Sequence, residues 1–258
     1  MTLFAEVRHP SSAKAPLVLL HGFGGIGASW APVIERLDRD QALVVYDLPG
    51  HGRSLDAEGV GHAGVMAKAI LDDLYKRQIP SFHLCGHSMG GAIASLIALK
   101  AADRVLSLTL AAPGGFGSKI DHQALRRYGS AVEPEELAAG LALMAAPAAA
   151  PYMSDLNVLA DARRLPGATD RLMEILQSFF VETNGQIGQG TLPLSSFTGL
   201  GIPTRLIWGT KDPILPVAQA QNVWPGADVA LIEDVGHMLI DEAPDRVAAA
   251  IRAAVAEA

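Results

Sequence analysis

Ser88 sits in the run Gly86-His87-Ser88-Met89-Gly90-Gly91, directly after the apolar stretch Phe82-His83-Leu84-Cys85. The Gly-x-Ser-x-Gly spacing is that of a nucleophile elbow, a serine held on a sharp strand-to-helix turn. Backbone angles at the tip of such a turn are strained, so Gly86 and Gly90, two positions to either side, must lack clashing side chains. Gly91 lets the following helix pack close to the strand. The turn lifts the hydroxyl above the sheet edge and aims the Met89 amide, at the helix N-terminus, toward a developing oxyanion. A serine hydroxyl becomes a useful nucleophile only when a base takes its proton and a carboxylate orients that base. Downstream, Thr204-Arg205-Leu206-Ile207-Trp208-Gly209 reads as a short buried strand, and the turn Thr210-Lys211-Asp212-Pro213 presents Asp212. Val229-Ala230-Leu231-Ile232 reads as the next strand, and Asp234-Val235-Gly236-His237 places His237 before the last helix.

Other residues compete for these roles. Glu233 and Asp234 are alternative orienting acids, but neither has the turn after a strand that Asp212 has. His87 lies nearest Ser88 in sequence, yet inside the turn it points away from the hydroxyl. His21 and His51 read as loop braces, and His9, His62, His83 and His122 as surface or packing residues. Asp47 reads as a loop organiser. Cys85, inside an apolar strand, behaves as a small hydrophobe and is a poor rival nucleophile.

These side chains need a scaffold, and strand and helix signals alternate along the chain in the manner of a parallel sheet covered on both faces. Leu3 to Val7, Leu17 to Leu20, Ala42 to Tyr46 and Val105 to Leu110 read as further strands, with little room for an N-terminal hairpin. Helices are expected near Ala28 to Leu37, His62 to Arg77, Met89 to Ala102, Val217 to Val223 and Ala243 to Ala256. The last carries Val247, Ile251 and Val255 at helical spacing. About ninety residues before Thr204 show no strand alternation and are too many for a loop. Pro134-Glu135-Glu136, Ser154-Asp155 and Thr169-Asp170 mark three helix starts there.

The chain resembles the α/β-hydrolase-fold enzymes with a serine nucleophile over nearly its whole length. Four segments carry the resemblance: His21-Gly22-Phe23-Gly24-Gly25, Asp47-Leu48-Pro49-Gly50-His51-Gly52-Arg53-Ser54, the elbow, and the pair Trp208-Gly209-Thr210-Lys211-Asp212 with Gly236-His237. The order Ser88, Asp212, His237 is the one this fold uses. The resemblance implies a mostly parallel central sheet flanked by helices, an α/β core over residues 1–112 and 201–258, and a helical cap inserted at 113–200. It also implies that Phe23 supplies the second oxyanion amide beside Met89. Apolar cap residues, among them Leu141, Met144, Met153, Phe179 and Phe180, are candidates for a substrate pocket, although most cap hydrophobics are expected to hold the cap together. The paired arginines Arg126-Arg127 and Arg163-Arg164 are candidates for a substrate carboxylate, but read more simply as solvated helix faces.

Composition narrows the class. The 258 residues suit one α/β domain with an insertion, and with half of them hydrophobic and 18% charged the chain reads as a globular enzyme. A net charge of −7 without a Lys/Arg cluster argues against a nucleic-acid surface. The single cysteine permits no internal disulfide and fits a reducing compartment. Met1 to Glu6 has no basic start and no long apolar run, so a cytoplasmic location is expected. The uncharged stretch Leu137 to Met153 falls short of the ~20 apolar residues that a membrane span needs. No metal or organic cofactor is implied, and the expected partner is a small-molecule substrate acted on by a monomer or homodimer.

Substrate is less constrained. Ala112-Pro113-Gly114-Gly115-Phe116-Gly117 and the cap after it resemble the hydrolase-like domain of acyltransferase components of acetoin dehydrogenase complexes. Such components need a lipoyl domain, whereas this chain opens directly on the hydrolase pattern. The 2-oxoacid acyltransferases use His-x-x-x-Asp-Gly, and here His237-Met238-Leu239-Ile240-Asp241-Glu242 lacks the glycine. That likeness is therefore expected to be of one domain and not of transferase activity. Carbon–carbon bond hydrolases of ring-cleavage pathways share the serine arrangement but often carry Trp after the histidine, where this chain has Met238. Ser88 excludes the aspartate-nucleophile chemistry of epoxide and haloalkane hydrolases. The expectation is a serine hydrolase that cleaves a small or medium, fairly apolar ester or thioester through an acyl-enzyme. A carbon–carbon hydrolase and a non-catalytic ligand receptor are the alternatives.

Overall fold

The structure is a computed structural model and describes residues 3–147, 155–183 and 185–258. Seven strands form one sheet: β1 (Ala5–Arg8), β2 (Leu17–Leu20), β3 (Leu43–Tyr46), β4 (Phe82–His87), β5 (Val105–Ala111), β8 (Thr204–Gly209) and β9 (Ala227–Ile232). Their spatial order is β1-β3-β2-β4-β5-β8-β9. Only β1 runs antiparallel, pairing Ala5 with Tyr46 and Arg8 with Leu43 at the edge. Among the described residues β1 is the edge strand and pairs only with β3. Every residue of β2, β3 and β4 is buried, as parallel strands are when both faces are covered.

Two groups of helices provide that cover. The helices α2 (Ala63–Lys76) and α3 (Met89–Lys100) pack on each other, and α3 lies against β2, β4 and β5. The second group is α1 (Ala31–Ile34), α8 (Leu239–Glu242) and α9 (Pro244–Ala256), with α9 against β5 and β8. The helix expected over Ala28 to Leu37 is a 3-10 turn, Gly27–Trp30, followed by the single turn of α1, which restarts at Pro32. The one expected near Val217 is only the 3-10 turn Val217–Gln221. Both are too short to bear the cost of nucleating an independent helix.

Between β5 and β8 lie α4 (His122–Ser130), α5 (Pro134–Ala142), α6 (Leu156–Arg163), α7 (Ala168–Phe179) and the hairpin β6 (Phe180–Thr183)–β7 (Gln186–Gln189). The helix starts at Pro134 and beside Asp155 are where the sequence puts them, while α7 starts after Gly167 with no side-chain cap. The sequence reading misses α4, whose Asp121 carboxylate accepts from the amides of Gln123 and Ala124. It also misses the hairpin, in which exposed Val181, Glu182 and Ile187 show no alternation. Of the uncharged stretch, residues 148–153 lie outside the described residues, as does Ser154. Among the described residues no helix is long and apolar enough to cross a membrane.

Candidate active site

Ser88 closes the turn between β4 and α3 with φ 53° and ψ −116°, a conformation that residues with a side chain rarely adopt. Its amide donates to the Ala111 carbonyl (2.9 Å), and its own carbonyl accepts from Ala92 (3.1 Å) and Gly114 (2.9 Å). The flanking glycines are required by close approach. A Cβ on Gly86 would overlap the carbonyl of Gly90, and one on Gly90 would overlap the carbonyl of Leu20 at the end of β2. Gly91 makes room mainly for Pro113, in the loop after β5, 2.8 Å from where its Cβ would stand.

The structure brings Ser88, His237 and Asp212 into one hydrogen-bonded line. Asp212 leaves β8 in a turn whose shape is set by its own side chain: Oδ1 accepts from the amides of Ile214 and Leu215, both at 2.8 Å. The indole of Trp208 donates to the Leu215 carbonyl (3.0 Å) and closes the same turn. Oδ2 is left for His237 Nδ1 at 2.8 Å. Because a carboxylate only accepts, Nδ1 carries the hydrogen, and the lone pair of Nε2 faces Ser88 Oγ at 2.9 Å. His237 is 1% exposed and Asp212 9%, so water competes little for these bonds.

The His237 loop is clamped from both sides by one carboxylate. Glu242, at the end of α8, accepts from the amides of Gly236 and Met238, and from that of Ala146, each at 2.9 Å. The His237 amide donates to the Met144 carbonyl at 2.8 Å, and Gly236 has no room for a side chain against Ala145 and Ala146. Nothing in the motif His237 to Glu242 signals this role, since a one-turn helix must first fold the carboxylate back.

Phe23 lies in the loop after β2. The carbonyl of Gly22, in the same peptide unit as the Phe23 amide, accepts from His21 Nδ1 (2.8 Å) and from the Gly25 amide (3.1 Å). Leu48 donates to His21 Nε2 (2.9 Å), which fixes the His21 tautomer. The Gly24 amide donates to His51 Nε2 (3.2 Å), and His51 Nδ1 donates to the Pro49 carbonyl (3.1 Å). Burial pushes the pKa of both rings down, that of His51 well below the usual histidine value, so both act here as neutral braces. Asp47 organises the neighbouring loop through the amides of Gly27 (2.7 Å) and Arg53 (2.9 Å).

Arg163 departs from the sequence reading as a solvated residue or a carboxylate binder. It is 4% exposed and donates to the carbonyls of Gly24 (2.7 Å), Gly129 (3.0 Å), Tyr128 (3.3 Å) and Ala131 (3.4 Å). The Tyr128 hydroxyl donates to the same Gly24 carbonyl at 3.2 Å. One guanidinium therefore ties the end of α4 to the loop that carries Phe23. The signal was present: Leu156, Leu159, Ala160 and Arg163 share one helix face at i, i+3, i+4 and i+7. Arg164, off that face, is exposed and pairs with Glu133 and Asp161.

The competing residues are engaged elsewhere. His87 donates from Nε2 to the backbone carbonyl of His237 (2.8 Å) and not to the hydroxyl, and its buried Nδ1 has no partner among the described residues. Burial pushes its pKa down to about 3, so the ring stays neutral. Glu233 and Asp234 are exposed and contact Thr210. Cys85 is fully buried, which raises its thiol pKa and leaves it protonated. His83 bonds Ser107 inside the core (2.8 Å).

Two cavities meet at Ser88. The larger, about 220 Å³, is walled mainly by apolar side chains including Leu125, Phe179, Leu192 and Leu215, with Met89 at its floor. The smaller, about 30 Å³, is lined by Gly22, His87, Leu141, Met144, His237 and Met238 among others. Phe23 borders both. Of the expected pocket residues, Leu141 and Met144 thus line the small cavity and Phe179 the large one. Phe180 lines neither: the chain turns extended there, and its ring packs edge-on against His122 (5.8 Å) and Phe179 (6.2 Å). Met153 lies outside the described residues. No Lys or Arg lines either cavity among the described residues, and none of their His, Cys, Asp and Glu side chains group to hold a metal ion.

The sequence profile of the alpha/beta hydrolase family matches residues 17–250. The chain is 32% identical over 222 residues to the dihydrolipoyllysine-residue acetyltransferase component of the acetoin cleaving system of Cupriavidus necator, with 86% of the chain and 58% of that protein aligned. It therefore spans somewhat under two thirds of that relative's length. It is 28% identical over 255 residues to the human monoacylglycerol lipase ABHD6, covering 91% of the chain and 73% of that protein. Among solved structures, a meta-cleavage product hydrolase from Pseudomonas fluorescens superposes with a TM-score of 0.79 at 19% identity, over 99% of this chain and 94% of that one, a likeness of fold.

Proposed function

The chain belongs to the alpha/beta hydrolase family, and from that membership we propose that it is a serine hydrolase of small or medium, fairly apolar esters or thioesters. The observation that carries this reading is the unbroken line from Asp212 Oδ2 through His237 to Ser88 Oγ, with links of 2.8 and 2.9 Å. Ser88 attacks the carbonyl carbon as its proton passes to His237 Nε2. The amides of Phe23 and Met89 hold the oxyanion; among the described residues neither donates a hydrogen bond elsewhere. Asp212 keeps His237 in the right tautomer and stabilises its cation. Protonated His237 then gives its proton to the leaving atom. Water, activated by the same nitrogen, releases the acid from the acyl-enzyme and restores Ser88.

In this reading residues 1–112 and 201–258 form the core and 113–200 the cap, and the enzyme needs no metal or organic cofactor. The mainly apolar walls, with no Lys or Arg and with His62 the one ionisable side chain of the large cavity among the described residues, favour an uncharged ester over an anionic ring-cleavage product, whose carboxylate would require a permanent cation in the pocket. The kinship with an acetyltransferase component and a monoacylglycerol lipase agrees with acyl chemistry at a serine. A fluorophosphonate probe tests the reading, because it needs both an activated hydroxyl and a hole for its phosphoryl oxygen. Stoichiometric labelling of Ser88, lost in Ser88→Ala and His237→Ala, is expected. A folded protein that resists labelling while binding a small ligand saturably would instead be a receptor.

A further inference from the structure

The two cavities at Ser88 differ sevenfold in size, about 220 against about 30 Å³, and they do not share His237. His237 lines only the small one, whereas Ser88 and Phe23 line both. This difference assigns directions, given the hydrolase reading on which it rests. When the carbonyl carbon is bonded to Ser88 Oγ, its oxygen points to the Phe23 and Met89 amides. The leaving atom must lie within hydrogen-bond reach of His237 Nε2, which hands it a proton. The leaving group therefore departs over the wall that carries His237, and the acyl chain takes the opposite direction.

We propose that the large cavity is the acyl site and the small one the leaving-group and water site. The substrate class that follows is an ester of a medium-length, uncharged acyl group with a very small alcohol. An apolar cavity of ~150 Å³ takes benzene, with six carbons, so the large cavity admits a chain on the order of eight carbons. A water molecule needs ~10–15 Å³ of such cavity space, so the small cavity suits about two waters or an alcohol of one or two carbons. The same asymmetry serves deacylation, since the attacking water must enter where the alcohol left. Leu192 and Phe179 set the reach of the acyl site, and Leu141 and Met144 set the size of the other.

Two ester series test the assignment. With ethyl esters of linear acids, kcat/KM is expected to rise roughly three- to fourfold per methylene up to about eight carbons, then fall. With octanoate esters of lengthening alcohols, it is expected to drop at least about tenfold beyond ethyl, as overpacking of a small site demands. Leu192→Trp should lower the octanoate-to-acetate ratio, and Leu141→Ala should raise the ratio of butyl to methyl octanoate. Both are ratios, so partial misfolding does not imitate them. A mirrored preference, for acetates of long alcohols, in protein that still labels at Ser88 would overturn the cavity assignment alone. Failure of the fluorophosphonate to label Ser88 would overturn the hydrolase reading beneath it.

Discussion

The loops bearing Ser88 and Asp212 are shaped mainly by their own neighbours, whereas those bearing His237 and Phe23 lean more heavily on the segment inserted between β5 and β8. Asp212 builds its turn from amides two and three residues ahead, and Ser88 sits between glycines that abut the strands beside it. His237, by contrast, hangs from the Met144 carbonyl, and Glu242 bridges its loop to Ala146. The Phe23 loop takes hydrogen bonds from Arg163 and Tyr128. The segment also reaches the first two loops, but through backbone contacts, the Gly114 amide donating to the Ser88 carbonyl and that of Asp121 to the Ile214 carbonyl. The proposed base and the proposed Phe23 oxyanion amide are held jointly by the sheet loops and the inserted segment, so in the proposed mechanism that segment is part of the reaction framework and more than a wall for the substrate.

Four substitutions or conditions can break or sharpen this contrast. The largest effect is expected from Asp212→Asn. Its oxygen can still serve Ile214 and Leu215, but its NH₂ faces Nδ1 and imposes the wrong tautomer. A loss in kcat of about 10⁴ is expected, as for the corresponding change in a serine protease. If Asp212→Asn is mild and Asp234→Asn severe in steady-state assays, the acid has been misassigned.

Glu242→Gln keeps one oxygen but turns the other into a donor, so at least one of the three amides loses its acceptor. A buried unpaired group costs about 1–3 kcal/mol, and if that penalty falls on the placement of His237 the result is roughly a 10- to 100-fold fall in kcat. KM should change little, and Glu242→Asp should recover part of the loss. A fall confined to thermal stability, with kcat intact, would make Glu242 merely structural.

Arg163→Met leaves four carbonyls with fewer donors, including Gly24 next to Phe23. We expect a melting temperature lower by several degrees, on the basis of about 1–3 kcal/mol at ~2–4 °C per kcal/mol for a chain of this size. A drop in kcat of about tenfold should accompany it if the insertion positions the oxyanion loop. Unchanged kcat well below the melting temperature would confine Arg163 to holding the fold together.

The smallest effect concerns acid. Buried His87 is neutral in the folded protein down to about pH 3, whereas in the unfolded chain it protonates near ~6.5. The unfolded state therefore binds more protons between these values, and stability is lost as pH falls through that window. His87 alone contributes a slope of up to ~1.4 kcal/mol per pH unit, with His21 and His51 acting in the same direction. Urea unfolding at pH 7 and pH 5 should show the loss, and His87→Gln should flatten it. An identical slope in that variant would show that this ring does not stay neutral.

The same contrast explains what could be read from the residues alone. Strand alternation, the elbow glycines and the turn at Asp212 are local patterns, and each appears in the structure near its expected position. The two shortest expected helices are single turns, the first interrupted by Pro32 partway along its expected span and the second preceded by Pro216, and their apolar content alone does not overcome the cost of nucleation. Arg163 was legible only as the fourth member of a helical face. Glu242 was not legible, because its three partners come from both ends of its own loop and from a residue almost a hundred positions away. Hairpin β6–β7 escaped because its largely exposed strands lack the alternation that burial imposes.

The left-handed backbone of Ser88 has a consequence for selection. A non-glycine residue held in such a sparsely populated region costs about 1–3 kcal/mol. Glycine would relieve that strain, so Ser88→Gly should unfold at higher urea than Ser88→Ala, a direct comparison of two inactive proteins. Pressure for robustness and pressure for turnover then pull on one codon in opposite directions. A directed-evolution screen that rewards heat resistance alone would drift toward losing the nucleophile, and only a selection that also demands product would keep it.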